Sequence, residues 1–301
     1  MSISKIEIGK RVAVASMLVS GLLAVSKILL GLLGHSVSVF SDGLESAGDV
    51  LASGIVFFGF LIAARPADAD HPYGHGRFET ISGLVVGMIL VIGGAGICLR
   101  ALRTVGEVHP PPALYGIWPL LASIVAKLLL STIKFRCGRR IGSAALVADA
   151  WNDAVDIISA GAALTALGLT LSEPVRFAAA DHYGGFAVGL IVIFTGVRVS
   201  RDTALRLTDV MPPPGLVAEI RRVATSVPGV LGVEKCFARN TGLQYHVDLH
   251  LEVDPEMSVR QSHDLATAVR FKIREQLDWV ADVLVHVEPH SPSALGAPRQ
   301  P

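Results

Sequence analysis

The sequence predicts two parts, an all-α membrane domain of six crossing helices and, after it, a small α+β domain. Three observations lead to this prediction. Of the 301 residues, 51% are hydrophobic and 17% are charged, whereas about a quarter of the residues of a soluble protein are charged. Long uncharged stretches recur as far as Asp209. After Met211 the apolar residues take the helix and strand spacing of a soluble domain.

Charge and cysteine content exclude several classes of protein. The 26 basic residues balance the 26 acidic ones, so no overall positive field attracts nucleic acid, and no nucleic-acid partner is expected. Cys98, Cys137 and Cys236 are far apart in sequence and indicate neither a disulfide framework nor a thiolate zinc site. The sequence has no phosphate-binding loop, which argues against an ATP-driven pump.

Six stretches are long and apolar enough to cross a lipid bilayer, which takes roughly 20 helical residues. They are 12–34, 37–64, 80–99, 114–133, 143–171 and 183–199. The first follows basic residues, as in a signal peptide, but its apolar run is too long for one and lacks a cleavage site of small residues. We therefore expect this stretch to be a membrane anchor.

Basic residues in short loops mark the cytoplasmic side of a membrane protein. In this chain they lie before the first crossing, between the second and third, between the fourth and fifth, and after the sixth. They are Lys5, Lys10, Arg11, Arg65, Arg77, Lys134, Arg136, Arg139, Arg140, Arg198, Arg201 and Arg206. The opposite loops contain fewer. We therefore expect a multi-pass protein of the cell membrane with both termini in the cytoplasm.

The membrane domain is expected to span residues 1–210 and to end at a hinge, because the three prolines between Met211 and Gly215 cannot continue a helix. Residues 211–290 are expected to form the second domain. Its predicted elements are a helix (216–226), two strands (230–237 and 245–253), a helix (258–277) and a strand (281–287). This α-β-β-α-β order predicts a two-layer, ferredoxin-like domain. The tail, 291–301, is expected to be disordered.

Acidic residues inside the crossings are the most informative feature of the sequence. A charge at the bilayer centre costs at least a few kcal/mol, so such residues face the interior of a helix bundle and mark a transport path. The second crossing contains Asp42, Glu45 and Asp49, and the fifth contains Asp149, Asn152, Asp153 and Asp156. Their spacing puts each set on one face of its helix. If the two faces meet, their oxygens suit a divalent metal ion.

The alternative is that these acids only form ion pairs with the two lysines inside the crossings, Lys27 and Lys127. Two bases cannot neutralise six acids, and ion pairing does not require the same face pattern on two helices. The metal interpretation is therefore preferred. The lysines would then tune the site or extend their ammonium groups towards the membrane surface.

Three segments resemble the cation diffusion facilitator family of divalent-metal exporters. They are Asp-Gly-Leu-Glu-Ser-Ala-Gly-Asp at 42–49, the loop at 68–76 with its His-Pro-Tyr-Gly-His-Gly run, and Ala-Asp-Ala-Trp-Asn-Asp-Ala-Val-Asp at 148–156. The resemblance extends over nearly the whole chain. It implies a homodimer in which each protomer holds a transport site between its second and fifth helices. It also implies export by alternating access in exchange for protons.

By position in the family motifs, the transport-site residues are Glu45, Asp49, Asn152 and Asp156, with Asp42, Asp149 and Asp153 as accessory acids. Zinc exporters of the family usually have a histidine where this chain has Asn152. Oxygen ligands suit manganese(II) or iron(II), whereas imidazole suits zinc. The resemblance therefore predicts a secondary transporter, not an enzyme, that exports Mn²⁺ or Fe²⁺ as substrate and needs no cofactor. A Zn²⁺ or Co²⁺ exporter is the alternative.

A second cluster, Asp68, His71 and His75, lies in the loop between the second and third crossings. Its spacing offers three ligands in eight residues, a pattern plausible for a zinc-type site, and in the family this loop can hold a peripheral metal. The alternative is a tight turn at Pro72 and Gly74 in which the histidines bond to the backbone. The sequence leaves both interpretations open.

A third cluster lies in the soluble domain, where His246 and His250 share one face of a strand and His286 and Glu288 share a face of another. The resemblance places cytoplasmic metal ligands near the dimer interface at Glu234, His250, His263, His286 and Glu288. The acid at position 234 replaces a family histidine and argues against a binuclear zinc site. A single histidine on a polar strand face is most often a surface residue, but the set favours regulatory binding of Mn²⁺, Fe²⁺ or Zn²⁺.

Two further functions stay open. One is a metal-sensing or scaffolding membrane partner that binds metal without transporting it, which Asn152 in place of histidine supports. The other is an intramembrane metal-dependent hydrolase, which needs a base and an open metal position beside a substrate cleft. No His-Glu-x-x-His motif supplies them, so divalent-metal export remains the preferred prediction.

Overall fold

The computed structural model describes residues 5–33, 37–103, 117–172 and 180–290. The chain folds as two compact units, Met1–Leu205 and Arg206–Pro301. The predicted disordered tail, 291–301, lies outside the described residues.

Six helices form the described part of the first unit. They are α1 (Lys5–Leu33), α2 (Val37–Ala63), α3 (Arg77–Arg103), α4 (Ile117–Ile141), α5 (Ala144–Ser172) and α6 (Ala180–Leu207). By length and composition, three of the described segments can cross a membrane: Lys5–Leu30, Ser46–Ala63 and Arg77–Leu99. Large apolar side chains such as Leu18, Leu22 and Phe58 point outwards, as a surface that contacts lipid requires.

The predicted position of Lys134 is wrong. The sequence placed this lysine in a loop after the fourth crossing, but α4 continues to Ile141 and encloses it. Lys134 is only 1% exposed. The apolar pattern ends before Lys134 because the residue is charged, yet acids on a neighbouring helix compensate that charge inside the bundle. The loop charges used to predict orientation therefore include one lysine too many.

Helices α3 and α6 approach closely through glycines. A Cβ atom built on Gly94 would lie 3.0 Å from the carbonyl oxygen of Gly189, and one built on Gly196 would lie 3.0 Å from that of Gly87. Small residues at such positions allow two helix backbones to pack together in a membrane. The neighbouring glycines of α3, Gly93 and Gly96, face open space instead.

The second unit has the predicted order of elements. It contains α7 (Pro214–Thr225), β1 (Gly232–Asn240), β2 (Tyr245–Val253), α8 (Val259–Gln276) and β3 (Val280–Pro289). β2 pairs antiparallel with β1 and parallel with β3. The described sheet is therefore small, mixed and three-stranded, in the order β1-β2-β3.

Strand β2 separates an apolar face from a polar face. Val247, Leu249, Leu251 and Val253 are at most 3% exposed, and they pack with residues of α7 and α8 in one core. The alternate residues, among them His246 and His250, therefore lie on the opposite face, where they are partly exposed. At the start of α8, Ser258 and Gln261 form a capping box, at the residue where the predicted helix over 258–277 begins.

Candidate metal sites

The acids of α2 and α5 meet at a lysine of α4. The Nζ atom of Lys127 donates hydrogen bonds to Asp49, to Asp156 at 2.6 Å and to Asp153 at 3.1 Å. Asn152 donates from Nδ2 to Oδ1 of Asp49 at 2.9 Å. Three residues of the predicted transport quartet, Asp49, Asn152 and Asp156, are thus brought together around one point.

A second lysine of α4 pairs with Asp149 and shares Asp153 with Lys127. Nζ of Lys134 lies 2.8 Å from Asp149 and 2.6 Å from Asp153. Ser53 of α2 donates a hydrogen bond to Oδ2 of Asp149 at 3.0 Å. The seven-residue step from Lys127 to Lys134 repeats the step from Asp149 to Asp156, so two turns of α4 face two turns of α5. That matched spacing is the sequence signal that could have revealed Lys134.

Ion pairing, the less favoured alternative at the sequence level, is present and joins α2, α4 and α5. Asp49, Asp149, Asp153 and Asp156 provide four carboxylates, against which Lys127 and Lys134 provide two ammonium groups. With all of these groups ionised, two negative charges remain, which one divalent ion balances. Ion pairing and metal binding are therefore compatible in this cluster.

The remaining residues of the α2 acid face are described only in part. Asp42 and Glu45 fall on α2, but their side chains lie outside the described part of the chain. Next to them, Ser46 accepts a hydrogen bond from Nζ of Lys27 at 3.0 Å, and Ser123 of α4 accepts another at 2.7 Å. Lys27 is 1% exposed and points inwards, not towards a membrane surface.

Glu79 of α3 holds the start of α5, and the sequence analysis did not identify it. Its Oε1 atom accepts hydrogen bonds from Oγ of Ser143 at 2.6 Å and from the backbone N–H of Ala145 at 2.8 Å. A carboxylate stabilises a helix N-terminus because the unpaired N–H groups there carry partial positive charge. Glu79 is fully buried, so it ties the helix that carries Asp149, Asn152, Asp153 and Asp156 to α3.

The loop cluster between α2 and α3 combines both predicted features. Oδ1 of Asp68 accepts a hydrogen bond from the backbone N–H of His71 at 2.7 Å. Gly74 has a positive φ of 81°, a turn conformation that favours glycine. Oδ2 of Asp68 lies 3.3 Å from Nε2 of His75. Ligand atoms of Asp68, His71 and His75 all lie within 4.8 Å of one another. The tight turn thus brings three possible metal ligands together.

Two features prepare this loop for a cation. The hydrogen bond from the His71 backbone, aided by the charges of His75 and His71, holds the pKa of Asp68 below its usual value, so the carboxylate form prevails. Nδ1 of His75 lies 3.1 Å from the carbonyl oxygen of Pro66. Since a carbonyl only accepts, Nδ1 carries the proton in the neutral ring and leaves Nε2 as the ligand atom.

In the second unit, His250, His286 and Glu288 come together on the polar face of the sheet. His250 and His286 are direct neighbours on the parallel strands β2 and β3. Nδ1 of His250 lies 2.6 Å from Oε1 of Glu288, and Nε2 of His286 lies 3.6 Å from the same atom. The ligand atoms of the three residues lie within 4.8 Å of one another.

The other predicted ligands of this domain differ in their relation to the cluster. A hydrogen bond with the Glu234 carboxyl, followed by that with His250, holds the pKa of Glu288 below its usual value, so Glu234 borders the cluster. His246 lies on the same strand as His250 but pairs in register with Asp282. Neither His246 nor His263, which is exposed on α8, joins a group of converging ligands among the described residues.

Comparison with known proteins gives the family. Residues 13–208 match the model of the cation efflux transmembrane domain. The chain belongs to the cation efflux family. Residues 212–290 match the model of the cation efflux protein cytoplasmic domain. The first unit is thus a multi-pass transmembrane region of a family of transporters, and the resemblance predicted from the sequence is confirmed.

Relatives within the cation efflux family include metal transporters and magnetosome proteins. The chain is 30% identical over 294 residues to the manganese efflux system protein MneP of Bacillus subtilis, covering 96% of this chain and 99% of that protein. It is 32% identical to metal tolerance protein C1 of Arabidopsis thaliana, covering 89% of this chain and 59% of that protein. It is 28% identical to the magnetosome protein MamB of a Magnetospira species, covering 87% and 89%.

Among solved structures, the second unit is similar to the C-terminal domain of MamM in a cadmium form. The sequence identity is 28%, and the match covers 26% of this chain and 98% of that domain, with a TM-score of 0.26.

Proposed function

We propose that this protein exports Mn²⁺ or Fe²⁺ from the cytoplasm across the cell membrane by alternating access, in exchange for protons. The observation that carries the proposal is the convergence of Asp49 and Asp156 beside Asn152 in the interior of the helix bundle. Buried carboxylates that lie so near to one another repel each other unless a cation lies between them. A helical bundle that gathers acids inside a membrane is built to pass a cation.

The metal is inferred from the ligand chemistry. Carboxylates and an amide offer only oxygen, which favours manganese(II) and iron(II) over zinc(II) and cobalt(II). In this state Asn152 directs its amide nitrogen towards Asp49. The side-chain amide must therefore rotate by about half a turn before its oxygen can bind an ion. The relative named for manganese efflux supports Mn²⁺ as the substrate.

The proposed arrangement uses all six helices of the first unit as crossings, with both termini in the cytoplasm and two chains forming a homodimer. Glu45 is the fourth ligand of the transport site in each protomer. Asp42, Asp149 and Asp153 are accessory acids. The concentration of basic residues in the loops on one side supports this orientation.

Two further metal sites are proposed as regulatory. The cluster of Asp68, His71 and His75 and the cluster of His250, His286 and Glu288 each offer nitrogen and oxygen ligands of the kind that zinc accepts. Metal bound there would bias the transporter between its states through a coupling free energy. The metal in either cluster acts as a regulator, whereas the metal between α2 and α5 is the substrate.

The proposal is tested by flux in reconstituted vesicles. Uptake of Mn²⁺, Fe²⁺, Co²⁺ and Zn²⁺ is compared with and without a pH gradient for the unmodified chain and for Asp49→Asn. The matched control is Glu275→Gln, which also turns a carboxylate into an amide, but on the exposed surface of α8.

We expect Mn²⁺ or Fe²⁺ to give the fastest flux, the pH gradient to increase it, and Asp49→Asn to reduce it to the vesicle background. The control should transport like the unmodified chain. Flux that survives Asp49→Asn would refute the proposed site. Metal binding without flux would favour the non-transporting partner.

A further inference from the structure

In this structure the ammonium of Lys127 lies among the ligands of the proposed transport site. Oδ2 of Asp49 accepts a hydrogen bond from Nζ of Lys127, and Oδ1 of the same carboxylate accepts one from Asn152. Oδ2 of Asp156 also accepts from Lys127, at 2.6 Å. Both oxygens of Asp49 and one oxygen of Asp156 therefore accept hydrogen bonds from N–H donors, and a divalent ion that binds these oxygens has to compete with the ammonium for them.

We propose that the Lys127 ammonium is a tethered cation that occupies the ligand cluster in the metal-free transporter, yields it to an incoming divalent ion, and returns when the ion leaves. The inference rests on the proposed function, since it assigns Lys127 a role in the same site. Lys127 is a positioning residue in this scheme, because it acts on the ligands and not on the metal.

The surroundings of Lys127 allow this exchange. Its ammonium also donates a hydrogen bond to Oδ1 of Asp153, at 3.1 Å, and Asp153 is outside the predicted quartet. When the ammonium gives up Asp49 and Asp156, it keeps Asp153, so no isolated charge is left in the membrane interior. Lys134 holds Oδ2 of Asp153 at 2.6 Å and keeps that carboxylate in place.

Charge decides which cation prevails. At equal distance and dielectric constant, a carboxylate attracts a divalent ion twice as strongly as it attracts an ammonium. Without a divalent ion, the tethered ammonium offsets the mutual repulsion of the Asp49 and Asp156 carboxylates. A divalent ion still displaces it, because each carboxylate attracts the divalent ion more strongly. A site that released its ligands to metal without competition would bind the ion more tightly and let it leave more slowly.

A purely structural ion pair makes the opposite prediction. If Lys127 only holds the helices together, neutralising it distorts the cluster and weakens metal binding. If Lys127 competes with the metal, neutralising it tightens metal binding. The sign of the change in affinity separates the two roles.

The experiment is calorimetric titration of the full-length chain in lipid nanodiscs with Mn²⁺. The variants are Lys127→Met, the charge-balanced pair Lys127→Met with Asp153→Asn, Asp153→Asn alone, and Asp49→Asn. Lys127→Arg is the matched control, because it keeps the positive charge at the same position. A structure of the unmodified chain with Mn²⁺ measures the displacement directly, without any substitution.

We expect the charge-balanced variant to bind Mn²⁺ at least about tenfold more tightly than the unmodified chain, which has the same net charge, because a ligand set that is free less than a tenth of the time loses that factor in apparent affinity. Lys127→Arg should give no tightening. In the Mn²⁺-bound structure, Nζ of Lys127 should lie beyond hydrogen-bond distance of Asp49 and Asp156.

Unchanged or weaker affinity in the charge-balanced variant, with one Mn²⁺ binding step lost in Asp49→Asn, would overturn the tethered-cation inference and leave the transport site intact. A Mn²⁺-bound structure in which Lys127 keeps both carboxylates would also overturn it. If Asp49→Asn keeps every Mn²⁺ binding step of the unmodified chain, the proposed transport site itself is wrong.

Discussion

Replacing Lys134 by methionine should strongly destabilise the membrane domain. Its ammonium lies 2.8 Å from Asp149 and 2.6 Å from Asp153, and all three residues are at most 1% exposed. At an effective dielectric constant of about 20, each ion pair is worth about 6 kcal/mol of Coulomb attraction, or about 12 kcal/mol for both. The cost of taking the charges out of water offsets most of this gain.

The variant loses the attraction but still buries the acids. Asp153 keeps Lys127, whereas Asp149 is left with the hydroxyl of Ser53. Breaking one side of a buried ion pair costs about 3–5 kcal/mol, and we expect Lys134→Met to lower the free energy of unfolding by that amount. Adding Asp149→Asn removes the uncompensated charge and should recover most of the loss.

Reversible unfolding in mixed micelles measures these differences. The two single variants and the double variant form a cycle that isolates the interaction between the residues. Arg11→Met is the control: it removes an exposed ion pair with Glu7 in the same unit and should cost less than about 1 kcal/mol. A loss below about 1 kcal/mol for Lys134→Met, or no recovery with Asp149→Asn, would refute the reasoning.

Three other predictions concern separate parts of the chain. Asn152→His places an imidazole in the proposed transport site and should shift vesicle flux towards Zn²⁺; an unchanged metal profile would count against the ligand assignment. Glu79→Gln weakens charged hydrogen bonds to the start of α5 and should cost about 1.5–3 kcal/mol, seen as faster hydrogen exchange at Ala145; equal exchange rates would contradict it. Partial burial raises the pKa of Asp282. Its hydrogen bonds with Arg270 and the Val283 backbone and the charge of Arg270 lower that pKa by more, so it lies below its usual value. The ion pair of Asp282 and Arg270 therefore stabilises the fold fully at pH values above the ordinary aspartate pKa of about 3.9. Its contribution decreases as the pH falls below that value. Asp282→Asn should speed hydrogen exchange of β3 at pH 7 by an amount that shrinks below about pH 4; an effect independent of pH would show that the charge is not its cause.

Elements whose signal is local were predicted well. β2 runs over Tyr245–Val253, as its strict alternation indicates, because burial on one face of a strand repeats every second residue. The helix predicted to begin at Ser258 does begin there, with Ser258 as its N-cap, since a serine before an amphipathic run is a local signal. The loop of Asp68, His71 and His75 was likewise predicted as a cluster, because its residues are close in sequence and need only one turn to meet.

The sequence by itself predicted which residues would carry the chemistry: the acids of α2 and those of α5, with a spacing that puts each set on one side of its helix. Only the tertiary structure decided what those faces meet. Lys127 and Lys134 lie on α4, and nothing within that helix indicates which acids its lysines meet. A buried charge becomes stable through a partner on another helix, so its position depends on contacts between segments far apart in the chain.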